Sequence, residues 1–218
     1  MWKRMKKIQV STLLSLVFIL GFGVLLFVRS LHAQSTDVPG VTPTSLQTPI
    51  PTLPIQTDHS NQFLRNVYVT FYGFDDNDDG KGHYGNAVIS DPVLHKIATE
   101  DEGTYKHPST FATDYRVFKA GTLIYVPKIR KYYLMEDTCV GCTHDILKGK
   151  KHVDLYMGGN VRLQGKPLID CENDHTVDKA FTDTIIVNPD THWPVDPQPL
   201  FRDGKCNPDV FPVPEKKK

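Results

Sequence analysis

The sequence carries no excess charge of either sign, because lysine plus arginine and aspartate plus glutamate number 25 each. No long basic stripe interrupts that balance beyond the N-terminus, so we expect no nucleic-acid partner. A sustained apolar stripe at helical spacing is also missing from the globular part, apart from a possible short turn at residues 92–99. Sixteen prolines and fifteen glycines leave little room for long helices. These deficits favour a mainly β, loop-rich fold with few short helices.

A basic segment followed by a long apolar run opens the chain. Residues 1–7 contain four lysines and arginines, and residues 8–28 carry no charge. A run of that length is about enough to cross a hydrocarbon core of ~30 Å as a helix, with the basic flank in the cytoplasm. We therefore expect residues 1–33 to form a signal peptide or a membrane anchor. Cleavage after Ala33 is disfavoured by the large Leu31, and in either case the remaining chain is expected to be extracellular, membrane-anchored or secreted.

The rest of the chain divides into three parts by composition. Residues 34–61 are rich in Pro, Thr, Ser and Gln, which predicts a disordered linker because such a segment cannot bury enough apolar area to offset its chain entropy. Residues 62–190 contain short apolar or alternating runs bounded by turn residues, a pattern typical of strands. Residues 191–218 form a C-terminal extension whose basic tail we expect to be disordered. We therefore expect one folded β domain, a barrel or a sandwich.

Two stretches resemble the bacterial three-aspartate domain, which is also found at the end of membrane-bound lytic transglycosylase A. They are FATDYRVFKAGTLIYVPKIRKYYLMEDTC and ILKGKKHVDLYMGG, and the matched aspartates are Asp114, Asp137 and Asp154. The shorter elements VTFYG and HVDL are similar to elements of expansins and of endoglucanases that share their barrel. The resemblance covers residues 67–158 and implies a six-stranded double-psi β-barrel. It leaves residues 91–110 without a counterpart.

Asp154 is the first catalytic candidate. It stands between Val153 and Leu155, so strand alternation directs its carboxyl into a groove if those two side chains face the core. A carboxyl partly desolvated by Tyr72 or Tyr156, near a second carboxylate, has a raised pKa, as a general acid requires. The resemblance implies that this aspartate protonates the glycosidic oxygen and helps the sugar's own C6 hydroxyl to attack, which gives an anhydro product without water.

The other two aspartates have structural alternatives. Asp137 begins a turn, where backbone N–H groups could keep it ionised to stabilise positive charge at the sugar ring. It could equally be a plain Asx-turn residue. Asp114 is explained without catalysis if it caps a loop or pairs with Arg116. All three aspartates are therefore catalytic candidates, with Asp137 as the electrostatic partner of Asp154.

Three hydroxyl side chains are candidates for binding substrate. Thr70 and Tyr72 alternate on one face of the first strand, opposite to Val69 and Phe71. The expansin resemblance implies that these hydroxyls bind sugar, and Tyr156 is the third candidate. An ordinary solvent-facing strand surface is the alternative.

Four cysteines in an exported chain favour disulfide bonds. Of the three possible pairings we prefer Cys139 with Cys142 and Cys171 with Cys206, because the second bridge would pin the C-terminal extension to the barrel. A zinc site that joins the first pair to two histidines is the alternative, and its ligands would be Cys139, Cys142, His144 and His152.

The acidic run DDNDDG at residues 75–80 resembles the start of a calcium loop. Asn86 stands where the bidentate glutamate of such a loop is required. We therefore expect an acidic turn here, and the chain as a whole is predicted to hold no metal and no cofactor.

These features predict an extracellular protein that is active on cell-wall polysaccharide. The leading hypothesis is lytic-transglycosylase-like cleavage of a β-1,4-glycan such as peptidoglycan. A non-catalytic, expansin-like glycan-binding or wall-loosening module is one alternative. An inverting hydrolase is another, and it requires two carboxyl groups about 6.5–9.5 Å apart. The expected partners are the glycan and, through the N-terminal segment, the membrane; the sequence gives no sign of an oligomeric state.

Overall fold

The structure is a computed structural model that describes residues 60–176 and 182–215. Within these ranges six strands close into a barrel in the order β1-β5-β2-β4-β3-β6, accompanied by two short helices and a small two-stranded sheet. The prediction of a mainly β barrel with few short helices is confirmed. The elements in chain order are β1 (Gln62–Tyr72), β2 (Ser109–Thr113), β3 (Leu123–Val126), β4 (Lys131–Thr138), α1 (Val140–Ile146), β5 (Lys151–Tyr156), α2 (Lys166–His175), β6 (Asp183–Val187), β7 (Phe201–Arg202) and β8 (Lys205–Cys206).

Strand pairing in the barrel mixes two directions. The pairs β1/β5 and β2/β4 are parallel, whereas β1/β6, β2/β5, β3/β4 and β3/β6 are antiparallel. Parallel strands cannot be joined by a tight hairpin and need long connections. The connection from β1 to β2, residues 73–108, is the longest between consecutive barrel strands, and these two strands do not pair with each other. It supplies most of the loop that flanks the site described below.

The barrel interior is filled by alternate residues of its strands. Along β1 these are Val67, Val69 and Phe71, and along β5 they are Val153 and Leu155. The intervening residues of both strands face outward, as period-two alternation requires. Alternation therefore fixes which side chains of β1 and β5 are available outside the barrel.

One irregularity in β4 breaks this alternation. Phe111 of β2 pairs with Met135, but the next residue, Ala112, pairs with Asp137, so Glu136 is an extra residue on β4. An extra residue of this kind re-aims the side chains that follow it. Strict alternation from the interior Met135 would have turned Asp137 into the core; the register shift turns it outward beside Ala112.

The segment without a counterpart in the resemblance covers the outer face of the barrel. Leu94 and Tyr105 pack on a second apolar cluster formed by outward side chains of β3, β4 and β6. Residues 92–99, for which a short helical turn was considered, contain bends and no helix. Their backbone is held instead by the Glu136 carboxylate, which accepts hydrogen bonds from the N–H groups of Val93, Leu94 and His95.

Helix α2 has a buried stripe that the sequence analysis missed. Its buried residues are Leu168, Cys171, Glu172 and His175, which follow the i, i+3, i+4, i+7 spacing of one helix face. Two of the four are polar, so a search for apolar periodicity cannot detect them. The helix begins after Gly165, with a proline in its first turn, where proline is tolerated.

Several predictions fall on residues outside the described ranges. The signal peptide or anchor at residues 1–33 lies entirely there, as do nearly all of the linker and the last three residues of the basic tail. Within the described ranges, no helix has the length and apolar character needed to cross a membrane. The predicted disulfide bonds are confirmed: Cys139 is bridged to Cys142, and Cys171 of α2 is bridged to Cys206 of β8.

Candidate functional site

A groove of about 530 Å³ lies on the outside of the barrel, against β1, β5, β2 and β4. Its floor includes Tyr72, Ala112, Asp137 and Asp154. Its rim consists of the acidic loop at residues 76–80, the exposed Tyr84, residues 88–90 and the start of α1. Asp137 and Asp154, two of the three aspartates matched by the resemblance, thus face the same open groove.

Asp154 reaches the groove from the middle of β5. Val153 and Leu155 fill the interior, so the half-buried Asp154 points outward, as alternation predicted. Thr70 lies beside it in register on β1, and its hydroxyl donates a hydrogen bond of 2.6 Å to Oδ1 of Asp154. Within the described residues this is the one hydrogen bond of the carboxyl, so Asp154 has few donors to stabilise its charge.

Asp137 enters the same groove from the end of β4 and has many donors. Its carboxylate accepts hydrogen bonds from the Ser90 N–H at 3.1 Å, the Ser90 hydroxyl at 2.9 Å, the Thr138 N–H at 2.8 Å and the Tyr72 hydroxyl at 3.2 Å. The backbone bonds at the start of the turn are common to both interpretations of Asp137, an ionised catalytic partner and an Asx-turn residue. Both Asp137 and Asp154 pair with Ala112 of the intervening β2.

The electrostatic environments of the two carboxyls differ. Burial is the largest cause that raises the pKa of Asp154, and the nearby charges of Asp76 and Asp137 act in the same direction. The Thr70 hydrogen bond opposes them, and the result is a pKa of about 7. Burial also raises the pKa of Asp137, but its bonds from Ser90, Thr138 and Tyr72 oppose that effect. Two neighbouring carboxyls with unequal proton affinity are the arrangement that acid catalysis requires.

The tyrosine candidates have different positions. Tyr72 lines the groove and contacts Asp137, whereas Tyr156 is buried and meets Tyr72 edge to face, with ring centroids 5.2 Å apart. Tyr156 is not among the residues that line the groove. In this structure Tyr156 supports Tyr72 from behind, so only Thr70 and Tyr72 of the predicted sugar-binding hydroxyls lie at the groove, Thr70 through its bond to Asp154.

Asp114, the third aspartate of the resemblance, is bound by neighbouring side chains of the fold. Asp114 pairs with both Nε and a terminal nitrogen of Arg116 at 2.7 Å and also accepts a hydrogen bond from the Thr143 hydroxyl at 2.7 Å. The Arg116 and Thr143 bonds hold its pKa well below the ordinary value. It does not line the groove. The Arg116 pairing offered as the alternative to catalysis is present, and Asp114 ties β2 to α1.

The acidic loop folds as a turn stabilised by its own carboxylates. Asp76 accepts from the Gly73 N–H at 2.9 Å, Asp79 accepts from the Lys81 N–H at 2.9 Å, and Asp75 accepts from the Gly165 N–H. In the described part of the chain, the groups of three ligand side chains close enough for a metal are formed by cysteines and histidines, not by this loop. One group contains Cys139, Cys142 and His152, and His144 is not part of it; the sulfurs of both cysteines are joined in the bridge.

Glu172 and Asp76 are acidic residues near the groove that the sequence analysis did not select. Burial raises the pKa of Glu172 to about 8, and the charges of Asp76, Asp154 and Asp75 add to this effect. A side chain on Gly73 would meet Oε1 of Glu172 at 2.5 Å, so this glycine permits the close approach of α2 to β1. No apolar periodicity in the sequence reveals Glu172, because polar residues occupy half of the buried stripe of α2.

Comparison with known proteins identifies one family. A family model described as the DDB_G0273701 N-terminal domain matches residues 64–207, which include every groove residue named above. An uncharacterized Dictyostelium discoideum protein, DDB_G0273701/DDB_G0273221, is 31% identical over 141 residues, which are 63% of this chain and 58% of the relative. The chain thus covers less than two thirds of that relative's length. No solved structure matches the chain.

Proposed function

The chain belongs to the DDB_G0273701 N-terminal domain family, and we propose that it cleaves cell-wall polysaccharide in the manner of a lytic transglycosylase. The substrate is a β-1,4-glycan such as peptidoglycan, and Asp154 is the general acid and base. The observation that carries the proposal is that Asp154, with a pKa raised to about 7, and Asp137 line the same open groove. A carboxyl with this pKa is protonated in a useful fraction of molecules near neutral pH.

The strand arrangement supports a double-psi barrel and, with it, the three-aspartate resemblance. A closed six-stranded barrel with two parallel pairs, β1/β5 and β2/β4, is compatible with that topology. Asp154 lies in one parallel pair and Asp137 in the other. We assign the catalytic roles that the resemblance implies to Asp137 and Asp154, and we assign Asp114 a structural role.

In the proposed reaction one carboxyl acts first as a general acid and then as a general base. Protonated Asp154 donates its proton to the glycosidic oxygen, and the C1–O bond breaks to release the leaving sugar. The ionised Asp154 then accepts the proton of the C6 hydroxyl as that oxygen bonds to C1, which gives a 1,6-anhydro product and restores the acid. Asp137, whose carboxylate accepts bonds from several donors, stabilises positive charge at the ring.

Groove side chains of two kinds can bind the sugar rings. Tyr84 is 68% exposed at the rim, and such a ring can stack on the apolar face of a sugar. Tyr72 and Ser90 present hydroxyls on the floor and rim. These contacts position the glycan across the two carboxyls.

The test is product analysis with the full-length chain. Incubation with peptidoglycan should release anhydro-muropeptides that mass spectrometry detects. The Asp154→Asn variant should release none, and Asp209→Asn, which changes an exposed aspartate in the C-terminal extension, should match the wild type. If the wild type releases no anhydro product where a lytic transglycosylase does, this proposal is rejected.

An inverting hydrolase is the second candidate, because Asp137 and Asp154 flank the same residue of β2. Their Cα atoms are thus separated by two strand spacings, roughly 10 Å, and inversion needs carboxyl groups about 6.5–9.5 Å apart. Hydrolysis in ¹⁸O-labelled water would place the label at a free reducing end, which the anhydro product lacks. Binding to peptidoglycan, cellulose or chitin without any soluble product would instead indicate an expansin-like module.

The proposed location is outside the cytoplasm. Two disulfide bonds support it, because such bonds persist mainly in oxidising compartments. The expected test is protease treatment of intact cells, which should digest an exposed barrel and spare a cytoplasmic marker. Loss of both proteins only after lysis would contradict an extracellular location.

A further inference from the structure

Hydrogen-bonding side chains continue from Asp154 along the wall of the groove, which His152 also lines, towards α1. The Thr70 hydroxyl, which donates to Asp154, lies 2.8 Å from Nε2 of His152. On the other side of the imidazole, Nδ1 lies 2.9 Å from Oδ2 of Asp145. Four side chains from β1, β5 and α1 therefore form one continuous line. It ends at Asp145, whose side chain is 16% exposed, so the line connects the groove carboxyl to a second point of contact with solvent.

The chemistry of each group restricts how protons can be placed along this line. An ionised carboxylate only accepts hydrogen bonds, and a threonine hydroxyl has one proton to donate. If Thr70 donates to ionised Asp154, its oxygen must accept from His152, so Nε2 carries a proton. The Asp145 carboxylate beside Nδ1 favours a proton there as well. The contact is at ion-pair distance without hydrogen-bond alignment, so its effect is mainly that of charge.

We propose that His152, held by Asp145, is a positioning residue that exchanges a proton with Asp154 through the Thr70 hydroxyl. In one arrangement Asp154 is ionised, Thr70 donates to it, and imidazolium His152 donates to Thr70. In the other, protonated Asp154 donates to Thr70, Thr70 donates to Nε2, and neutral His152 keeps its Nδ1 proton. Both arrangements contain the same three protons, so the exchange needs no proton from solvent.

Burial shifts the proton affinities of Asp154 and His152 in opposite directions. Burial lowers the pKa of His152, although the Asp145 charge opposes this effect, and burial raises the pKa of Asp154 to about 7. The two groups thus approach each other in proton affinity, which is the condition for exchange. Charged or titratable groups on every packed element act on them. Around His152 these are Asp145, Lys150 and Tyr68, and around Asp154 they are Tyr72, Asp76, Asp137 and Glu172.

The consequence for the proposed glycan cleavage, on which this role rests, concerns the ionised stage of Asp154. After Asp154 gives up its proton, Thr70 donates to the new carboxylate, and Nε2 of His152 loses the hydrogen bond that it accepted from the Thr70 hydroxyl. His152 then gains affinity for a proton from the Asp145 end. The contacts from Asp154 through Thr70 and His152 thus change the proton affinity of Asp154 during each catalytic cycle. A histidine with a purely structural role would not have this effect.

The first test follows both ends by NMR in the full-length chain. The imidazole nitrogens of His152, labelled with ¹⁵N, and the carboxyl carbon of Asp154, labelled with ¹³C, should titrate with a common midpoint. Thr70→Val removes the linking hydroxyl and should separate the midpoints, and Thr70→Ser should restore the common one. Separate midpoints in the wild type, or a common midpoint that survives Thr70→Val, would overturn the proposal.

A second variant keeps the test decisive if Thr70→Val fails to fold. Asp154→Asn retains the size of the side chain but cannot ionise, so His152 should lose a partner for its charged form. We expect its midpoint to fall by about one pH unit. An unchanged His152 midpoint in Asp154→Asn would also overturn the exchange.

Kinetics separate this role from a structural one. With His152→Gln we expect kcat to fall about tenfold, as for other residues that act through a catalytic group, with a shifted pH profile and a KM close to that of the wild type. His192→Gln, at an exposed histidine far along the chain, is the matched control. If the wild type cleaves no glycan, the NMR titrations still decide the exchange, so failure of the function and failure of the relay are distinguishable.

Discussion

Glu136 of β4 and Asp154 of β5 are acidic residues of the same barrel, and their surroundings shift their pKa values in opposite directions. Glu136 is fully buried, yet its carboxylate accepts three backbone N–H bonds, the Thr110 hydroxyl at 3.2 Å and an imidazole contact to His95 at 2.5 Å. Burial raises its pKa, but these bonds outweigh burial and leave it lowered. Asp154 is open to the groove and has one such bond, and its pKa is raised to about 7.

The comparison shows that the supply of donors, more than depth, decides whether a carboxyl in this protein keeps its proton. At Glu136 the donors come from residues 93–95, so the charge anchors the segment that covers the outer face of the barrel. At Asp154 the Thr70 hydroxyl is the one donor within the described residues, and the carboxyl faces the groove. Stability is therefore expected to depend on Glu136, and chemistry on Asp154.

The largest expected effect is on activity. Asp154→Asn should lower the rate of glycan cleavage by about 10²- to 10⁴-fold, the usual contribution of a general acid. At about pH 4, where Asp154 is protonated, circular dichroism and the melting temperature should stay close to those of the wild type, because the amide fits the same space and keeps the Thr70 contact. A variant that retains full activity would show that the two carboxyls do not differ in the way proposed.

The next largest effect is expected on stability, when the Glu136 carboxylate is replaced. Glu136→Gln should lower the free energy of unfolding by roughly 3–5 kcal/mol, because buried donors lose a charged acceptor. The measurement is urea denaturation, with Asp154→Asn as the matched comparison, for which we expect a change below about 1 kcal/mol at about pH 4, where Asp154 is protonated. Equal losses in the two variants would remove the distinction between them.

The two carboxyls should also give stability opposite dependences on pH. The pKa of Asp154 is raised above its unfolded value, so its contribution is complete below about pH 4 and is lost as pH rises through about 7. Relative to Asp154→Asn, the wild type should lose roughly 2–4 kcal/mol over that range. The lowered pKa of Glu136 gives a contribution that is present above its unfolded value and is lost as pH falls. Denaturation curves from about pH 2 to 8 should show both trends, because the loss at Glu136 lies below its unfolded pKa of about 4.3 and the loss at Asp154 lies above about pH 4. Parallel curves for wild type and Asp154→Asn would contradict the trend at Asp154.

The smallest effect is expected at His95. His95→Gln removes the imidazole contact to Glu136 and leaves the three backbone bonds in place, so the cost should be roughly 1.5–3 kcal/mol, the value of a hydrogen bond to a charged group. Limited proteolysis should cut residues 91–101 faster than in the wild type. His107→Gln, at a half-exposed histidine of the same connection, is the control; equal cleavage in the two variants would argue against the anchoring role.

The inward and outward faces of β1 and β5 can be predicted from the sequence, whereas the register shift between β2 and β4 cannot. Alternation in VTFY and HVDL correctly directs Thr70, Tyr72 and Asp154 outward, because the interior positions are all apolar. The extra residue at Glu136, which turns Asp137 outward, has no local signature, since it depends on how β4 pairs with β2. The contact between Asp145 and His152 likewise forms only when α1 packs beside β5, and polar residues concealed the buried stripe of α2.

The central claim is that Asp154 holds its proton near neutral pH. Its most direct test is a ¹³C NMR titration of the Asp154 carboxyl in the full-length chain, with assignment by loss of the signal in Asp154→Asn. We expect a midpoint near pH 7, well above the ordinary aspartate value of 3.8. A midpoint at or below about 4 would contradict the claim, because the groove would then present two permanent negative charges and no general acid.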